Sequence, residues 1–326
     1  MAKKRRHRRI RAWKWSMSWC EVIGIKLTHA VIPHIPFKII NLLSHILGSL
    51  GYLVSFRTRK RIMNNLHKAF QDTLEQKKKK SIARITFVNI IKGYFETMLS
   101  CNSFKHKVLN QISVTGEEHL KTALEGGKGI IAVTAHFGNF ILMGVKLHEE
   151  GYPFYTVIRE PRDPRIARVL RRYRSMMGFP SIPAQPRKLC IRSIFAHLRS
   201  NKIVCLIVDE NKKRGGITVD FLGHPAPTVK SPALIALKTG AAIIPIFIVR
   251  QKKDFHNIII NPPLHYTITG DKTQDIYTIT LHITKIIESY ITHYPTQWYW
   301  INDRWKTSKH SHSTSRENHQ RKPLSI

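Results

Sequence analysis

The residues able to do chemistry gather in four short segments, each behind a short apolar or β-rich run. The first reads His136-Phe137-Gly138-Asn139-Phe140 and follows GIIAVTA at 129–135. A histidine at the end of a buried strand, beside a glycine and a helix start, is well situated for general-base work, because neutral imidazole takes up a proton near neutral pH. The competing use of that residue is structural, as one of eighteen histidines, donating to a backbone carbonyl. The second segment starts at Arg159 and runs into Arg162, Arg165, Arg168, Arg171, Arg172 and Arg174. Positions 162, 165, 168 and 172 are three or four apart and share a helical face. Such a stripe is either solvated or meets phosphate or an acidic partner. The third segment is Asp209-Glu210-Asn211, followed by Lys212, Lys213, Arg214 and Gly215-Gly216. The fourth, GHPAPTVKSP at 223–232, carries Lys230 among turn residues ahead of a helix. The GGKG at 126–129 precedes a strand instead of opening a helix, so it reads as a turn.

Holding these segments together requires a scaffold, and the pattern of the chain supplies one. Apolar, β-rich runs at 129–135, 153–158, 202–208, 241–249 and 257–260 alternate with helical stretches at 139–150, 163–176, 188–200, 230–239 and 273–293. Near-continuous apolar strands separated by helices predict an α/β core with a mostly parallel central sheet flanked by helices. In such sheets ligands bind beyond the carboxyl ends of the strands, where the four segments lie.

The 326 residues divide by composition. Residues 1–15 form a basic arm with eight Lys/Arg and no acid. Residues 16–56 form an apolar helical segment expected to associate with a membrane. Within it, Ile39–Phe56 is an eighteen-residue run without formal charge, at the lower edge of a spanning length. Spanning, half-insertion and an ordinary buried helix pair all remain open for it, and the arm would stay cytoplasmic by the positive-inside rule. Residues 57–111 read as a basic helical region in which Lys77 to Lys80 are a solvated face or loop. The α/β core occupies 112–305, and the polar tail 306–326 is expected to be disordered.

Lys and Arg number 54 against 20 Asp and Glu, a net charge of +34 that calls for a polyanionic partner. Nucleic acid is set aside because no recognition motif accompanies the charge. Cys20, Cys101, Cys190 and Cys205 include no CxxC pair, which argues against a disulfide scaffold or a cysteine-rich zinc site.

Three long stretches carry a resemblance: VTAHFGNFILMG, GGITVDFLGHPAPTVKSPALIALKTGAAIIPIFI and YPTQWYWINDRWK. With the earlier RTRKRIMNNLHKAF, they resemble the late acyltransferases of lipid A biosynthesis, lauroyl/myristoyl-type members of the lysophospholipid acyltransferase superfamily. The resemblance implies an enzyme at the cytoplasmic face of the bacterial inner membrane. It would move a fatty acyl chain from acyl carrier protein to a hydroxyl of a phosphorylated lipid A precursor. No metal or cofactor is implied, since the thioester donor is already activated.

On the same basis His136 is the general base and Arg159 a second catalytic candidate, binding phosphate or stabilising the oxyanion. Asn139, Asp209 and Lys230 are candidates for substrate binding, Asn139 also as a helix cap. The family's histidine is followed five positions later by an acid that orients it, and here that position is Ile141. The same spacing recurs at His67 with Asp72 and at His312 with Glu317, both explained by chance among eighteen histidines. Glu149 and Glu150 lie roughly 12 Å farther along the helix, too far for contact. Asp209 or Glu210, at another strand end, is the expected substitute for the missing acid. Without one, the chain would be a catalytically weakened relative that binds lipid or a partner.

Overall fold

A computed structural model describes residues 19–212 and 215–305; the basic arm 1–15 and the tail 306–326 lie outside the described residues. Helix α1 runs through 19–31 and leads by a 3₁₀ turn, Ile32–His34, into α2 (Phe37–Val54). Next come α3 (Phe56–Phe70), α4 (Gln76–Leu99) and the short α5 (Lys105–Leu109). Helix α2 packs on α4 through Ile40, Ser44 and Gly48, spaced four apart on one face. The approach is close: a Cβ at Gly48 would lie 2.5 Å from the Val88 Cα. The opposite face of α2 exposes Ile39, Leu42, Ile46, Leu50 and Leu53, and α1 exposes Trp19, Ile23, Leu27 and Val31 at four-residue intervals. Helix α2 is the candidate membrane-associating segment.

The basic helical region departs from expectation at one residue. Lys77, Lys78 and Lys80 are exposed at the start of α4, whereas Lys79 is only 3% exposed. Its ammonium turns back under the end of α3 and donates to the Gln71 carbonyl, where the chain leaves the helix.

The core then alternates as the apolar runs predict. It comprises β1 (Ile112–Thr115), α6 (Glu117–Glu125), β2 (Ile130–Thr134), α7 (Phe140–Glu149), β3 (Phe154–Ile158), α8 (Pro164–Met177), β4 (Ser181–Pro183) and α9 (Arg187–Arg199). It continues through β5 (Ile203–Ile207), β6 (Ile217–Phe221), β7 (His224–Thr228), α10 (Ser231–Thr239), β8 (Ala242–Arg250), β9 (His256–Ile260) and α11 (Lys272–His293). Seven strands form one sheet in the order β1-β9-β8-β2-β5-β3-β4, parallel at every junction except β8–β9. Strands β1 and β4, four and three residues long, are too short to stand out in sequence. The turn-rich fourth segment is in part a strand: β7, with Pro225 and Pro227, pairs antiparallel with β6 as a separate hairpin. Proline is tolerated there because a two-stranded ribbon leaves an outer edge that needs no ladder donor.

Side-chain alternation splits the core. Ile131, Val133, Val204 and Leu206 share a cluster with α9 and α11, while Ile130, Ala132, Ile203 and Cys205 share one with α7 and α8. Helices α7 and α9 therefore cover opposite faces of the sheet.

Candidate active site

The site is built at the carboxyl ends of β2 and β5. These strands pair in parallel register, Thr134 opposite Ile207, and the Val208 amide still donates to the Thr134 carbonyl. Two residues farther on, that register sets His136 beside Asp209. The His136 Nδ1 lies 2.8 Å from Asp209 Oδ1 and its backbone amide donates to Oδ2 at 3.1 Å. The Trp298 indole N–H donates to the same Oδ2 at 2.8 Å. An ionised carboxylate only accepts, so Nδ1 carries the hydrogen and Nε2 keeps its lone pair. The Glu210 Oε1 lies 3.9 Å from Nε2.

Asp209 is 1% exposed. Burial pushes its carboxyl up, but the His136 imidazole and three N–H donors outweigh burial and hold it below the usual range. For His136, burial disfavours the charged ring, yet Asp209, and behind it Glu210, raise its pKa above the ordinary value. Arg304 adds a buried cation nearby. Its guanidinium donates to the Pro227 carbonyl at 2.7 Å and to Thr228 Oγ1 at 2.5 Å, and lies 4.7 Å over the Phe221 ring. Burial lowers its pKa to about 10, against the pull of Asp209 and Glu288.

The loop after His136 is clamped from two sides. Gly138 adopts a φ of +55°, and a Cβ there would lie 2.1 Å from the Ile248 carbonyl oxygen. Its amide donates to the Gln297 carbonyl, and the Tyr299 amide donates to that of His136. Asn139 caps α7, its Oδ1 accepting from the Leu142 amide at 3.3 Å. Its Nδ2 donates to the Gly93 carbonyl and to Glu96 Oε2, each at 3.1 Å. Glu96 in turn receives both guanidinium nitrogens of Arg250 and lies 3.3 Å from His256 Nε2. Burial alone would raise the Glu96 pKa, but Arg250 and His256 hold it well below the carboxylate range.

A cavity of about 1300 Å³ opens at this point. His136, Ile141, Arg159, Glu210 and Lys230 all line it. Apolar walls come from Leu170, Met177, Phe179, Ile194 and Leu234 among others. Of the five site residues expected from sequence, His136 and Asp209 are thus joined directly, while Arg159 and Lys230 share the cavity with His136. Asn139 is buried behind the loop, with its side chain engaged by Glu96 and the α7 amide. Ile141 lines the cavity and packs partly against the α7-side core, and the nitrogen an acid there would serve is already held by Asp209. Sequence reasoning did not single out Trp298 or Glu96, and Arg304 entered it only as part of the end stretch YPTQWYWINDRWK. An indole and a carboxylate reaching a site from 89 and 43 residues away leave no local spacing signal. Among the described residues no group of three His, Cys, Asp or Glu could hold a metal ion.

Known proteins are similar to this chain in sequence. The model of the bacterial lipid A biosynthesis acyltransferase family matches residues 3–307. The lipid A biosynthesis lauroyltransferase of Escherichia coli K12 is 24% identical over 298 residues, 89% of this chain and 92% of its own. A lipid A biosynthesis acyltransferase of Haemophilus influenzae is 24% identical over 286 residues, 86% and 85% of the two chains. The phosphatidylinositol mannoside acyltransferase of Mycolicibacterium smegmatis is 29% identical over 196 residues, 60% of this chain, and the match spans only 62% of that relative. With a family match running from the arm to the last tryptophan segment, the chain belongs to the bacterial lipid A biosynthesis acyltransferase family.

Proposed function

We propose that the protein transfers a fatty acyl chain from acyl carrier protein to a hydroxyl of a phosphorylated lipid A precursor, at the cytoplasmic face of the inner membrane. The observation that carries the reading is the His136–Asp209 pair at the wall of a large, mostly apolar cavity. The acceptor hydroxyl gives its proton to His136 Nε2 as its oxygen attacks the thioester carbonyl. Asp209 stabilises the imidazolium that forms. The carbon–sulfur bond then breaks, and the departing thiolate takes the proton from Nε2. Arg159 and Lys230 are cations suited to the acceptor's phosphate or to the developing oxyanion. The apolar walls suit the acyl chain, and no metal or cofactor takes part.

The lipid A type of acceptor is favoured by the coverage of the lauroyltransferase match, 89% of this chain against 60% for the mannoside enzyme. The alternative reading as a weakened relative draws on Ile141, and the Asp209 contact with His136 Nδ1 favours the active reading over it. Membrane attachment is supported by the exposed apolar stripes of α1 and α2. The test is transfer from lauroyl-loaded acyl carrier protein to a lipid A precursor in detergent micelles. Wild type is expected to turn over and His136→Ala to fall by a factor of at least about 10³. Transfer only to a phosphatidylinositol mannoside would shift the acceptor assignment. Equal activity in wild type and His136→Ala would end the general-base reading.

A further inference from the structure

We propose that the exposed face of α9 is the docking surface for an acidic carrier protein, which delivers its tethered acyl chain into the cavity from that side. The proposal rests on the acyl-transfer reading above and names where the donor binds.

Helix α9, RKLCIRSIFAHLR, contains no acid. Arg187, Lys188, Arg192 and Arg199 are exposed, and none makes an ion pair with another described residue. A cationic face without internal partners is stabilised by an external anion. The same helix forms a wall of the cavity through Cys190, Ile191, Ile194 and Phe195. Arg187 also lines the cavity, whereas Lys188, Arg192 and Arg199 do not, so one helix carries both cavity lining and a positive surface that runs away from it. Lys238 of α10, whose ammonium lies 5.3 Å over the Phe195 ring of α9, and Lys272 are exposed and also line the cavity, so the positive potential extends beyond α9.

The chemistry of the patch favours a folded protein over a lipid surface. Leu189, 57% exposed and outside the cavity lining, lies among the cations and gives the patch an apolar contact for a protein partner. The arginines of α8 have different neighbours. Arg165 lies 5.4 Å over the Trp19 ring, and His29 stacks on Tyr173, which joins α8 to α1 and its exposed apolar stripe. Helix α8 is thus the cationic border of the apolar surface. Helix α9 covers the opposite face of the sheet from α7 and α8, packed on β4 and β5. A tethered donor on α9 and a lipid acceptor along α1, α2 and α8 can then reach His136 without competing for one surface.

The test uses the full-length protein and the charge-reversal variant Lys188→Glu/Arg192→Glu/Arg199→Glu, whose three positions do not line the cavity. Steady-state kinetics are compared with lauroyl-loaded acyl carrier protein and with lauroyl-pantetheine as donors. The variant is expected to raise KM for the carrier protein about 10- to 100-fold with kcat unchanged. KM for lauroyl-pantetheine should stay within about twofold, since rim charges act on protein encounter. Wild-type KM for the carrier protein should also rise with salt, and the variant's should lose that dependence. An unchanged carrier-protein KM, or equal losses with both donors, overturns the proposal. So does lost binding to phosphatidylglycerol vesicles with the carrier-protein KM intact, which makes the patch a lipid contact. If wild type transfers from neither donor, the acyl-transfer reading fails, and direct binding to immobilised carrier protein decides the surface. Binding by wild type and not by the variant upholds it; binding by neither overturns it.

Discussion

Replacing Asp209 with asparagine exchanges one oxygen for an NH₂ group and reverses the proton logic of the site. In the wild type, Oδ1 accepts from His136 Nδ1 while Oδ2 accepts from two N–H groups, the His136 amide and the Trp298 indole. The asparagine carbonyl must face those two donors, because an amide NH₂ there would meet N–H groups head-on. Its NH₂ then points at Nδ1 and donates to it. That forces the ring hydrogen onto Nε2, the nitrogen needed as a base. The same carboxylate-to-amide change in a Ser-His-Asp triad lowers kcat about 10⁴-fold through the wrong tautomer. A loss of about 10³–10⁴ is therefore expected in acyl transfer, some 4–6 kcal/mol of barrier at about 1.4 kcal/mol per decade. A second readout separates positioning from simple damage. Asp209 raises the His136 pKa, and the base is lost as pH falls through that value. In Asp209→Asn the residual activity should persist to lower pH, so the acid limb of kcat/KM moves down. Initial rates over pH 5 to 9 measure both effects, with circular dichroism to establish folding. Activity within tenfold of wild type and an unmoved acid limb would refute the dyad.

Ile141→Glu should not increase transfer, since Asp209 already holds Nδ1 and the new carboxylate would be half-buried against apolar neighbours. A fall in thermal stability of about 1–3 kcal/mol with no gain in kcat is expected, and a higher kcat would show that the helix position still governs the histidine. Gly48→Ala should cost about 1–3 kcal/mol, measured by denaturant unfolding, because its Cβ would meet the Val88 backbone where α2 seats on α4. A neutral result would mean that the two helices are not held together at this point. Leu42→Glu/Leu50→Glu removes two exposed side chains from the outer face of α2. At about 1.5–3 kcal/mol of transfer free energy for each, partitioning onto vesicles should drop about 100-fold or more, and unchanged co-sedimentation would argue that α2 does not meet lipid.

The α/β core was legible from residue order, because alternating apolar runs and helical stretches are local patterns set by strand and helix periodicity. Residue order also showed His136 as the leading candidate base, since a histidine closing a buried strand ahead of a glycine and a helix is a local signal. The short β1 and β4 and the proline-bearing β7 escaped, for they exist only through pairing with other strands. The partner of His136 was narrowed in sequence to Asp209 or Glu210. Only the tertiary structure chose Asp209: β2 and β5 lie side by side in one register, so residues 73 apart in the chain meet two positions past their strands. The same holds for Trp298 and Glu96, whose indole and carboxylate arrive from distant elements. The tertiary structure also decided what the apolar α2 does with its two faces. Small residues spaced four apart let it seat on α4, leaving the large ones outside. Local pattern fixes which residues leave water; sheet order and helix packing decide which of them meet.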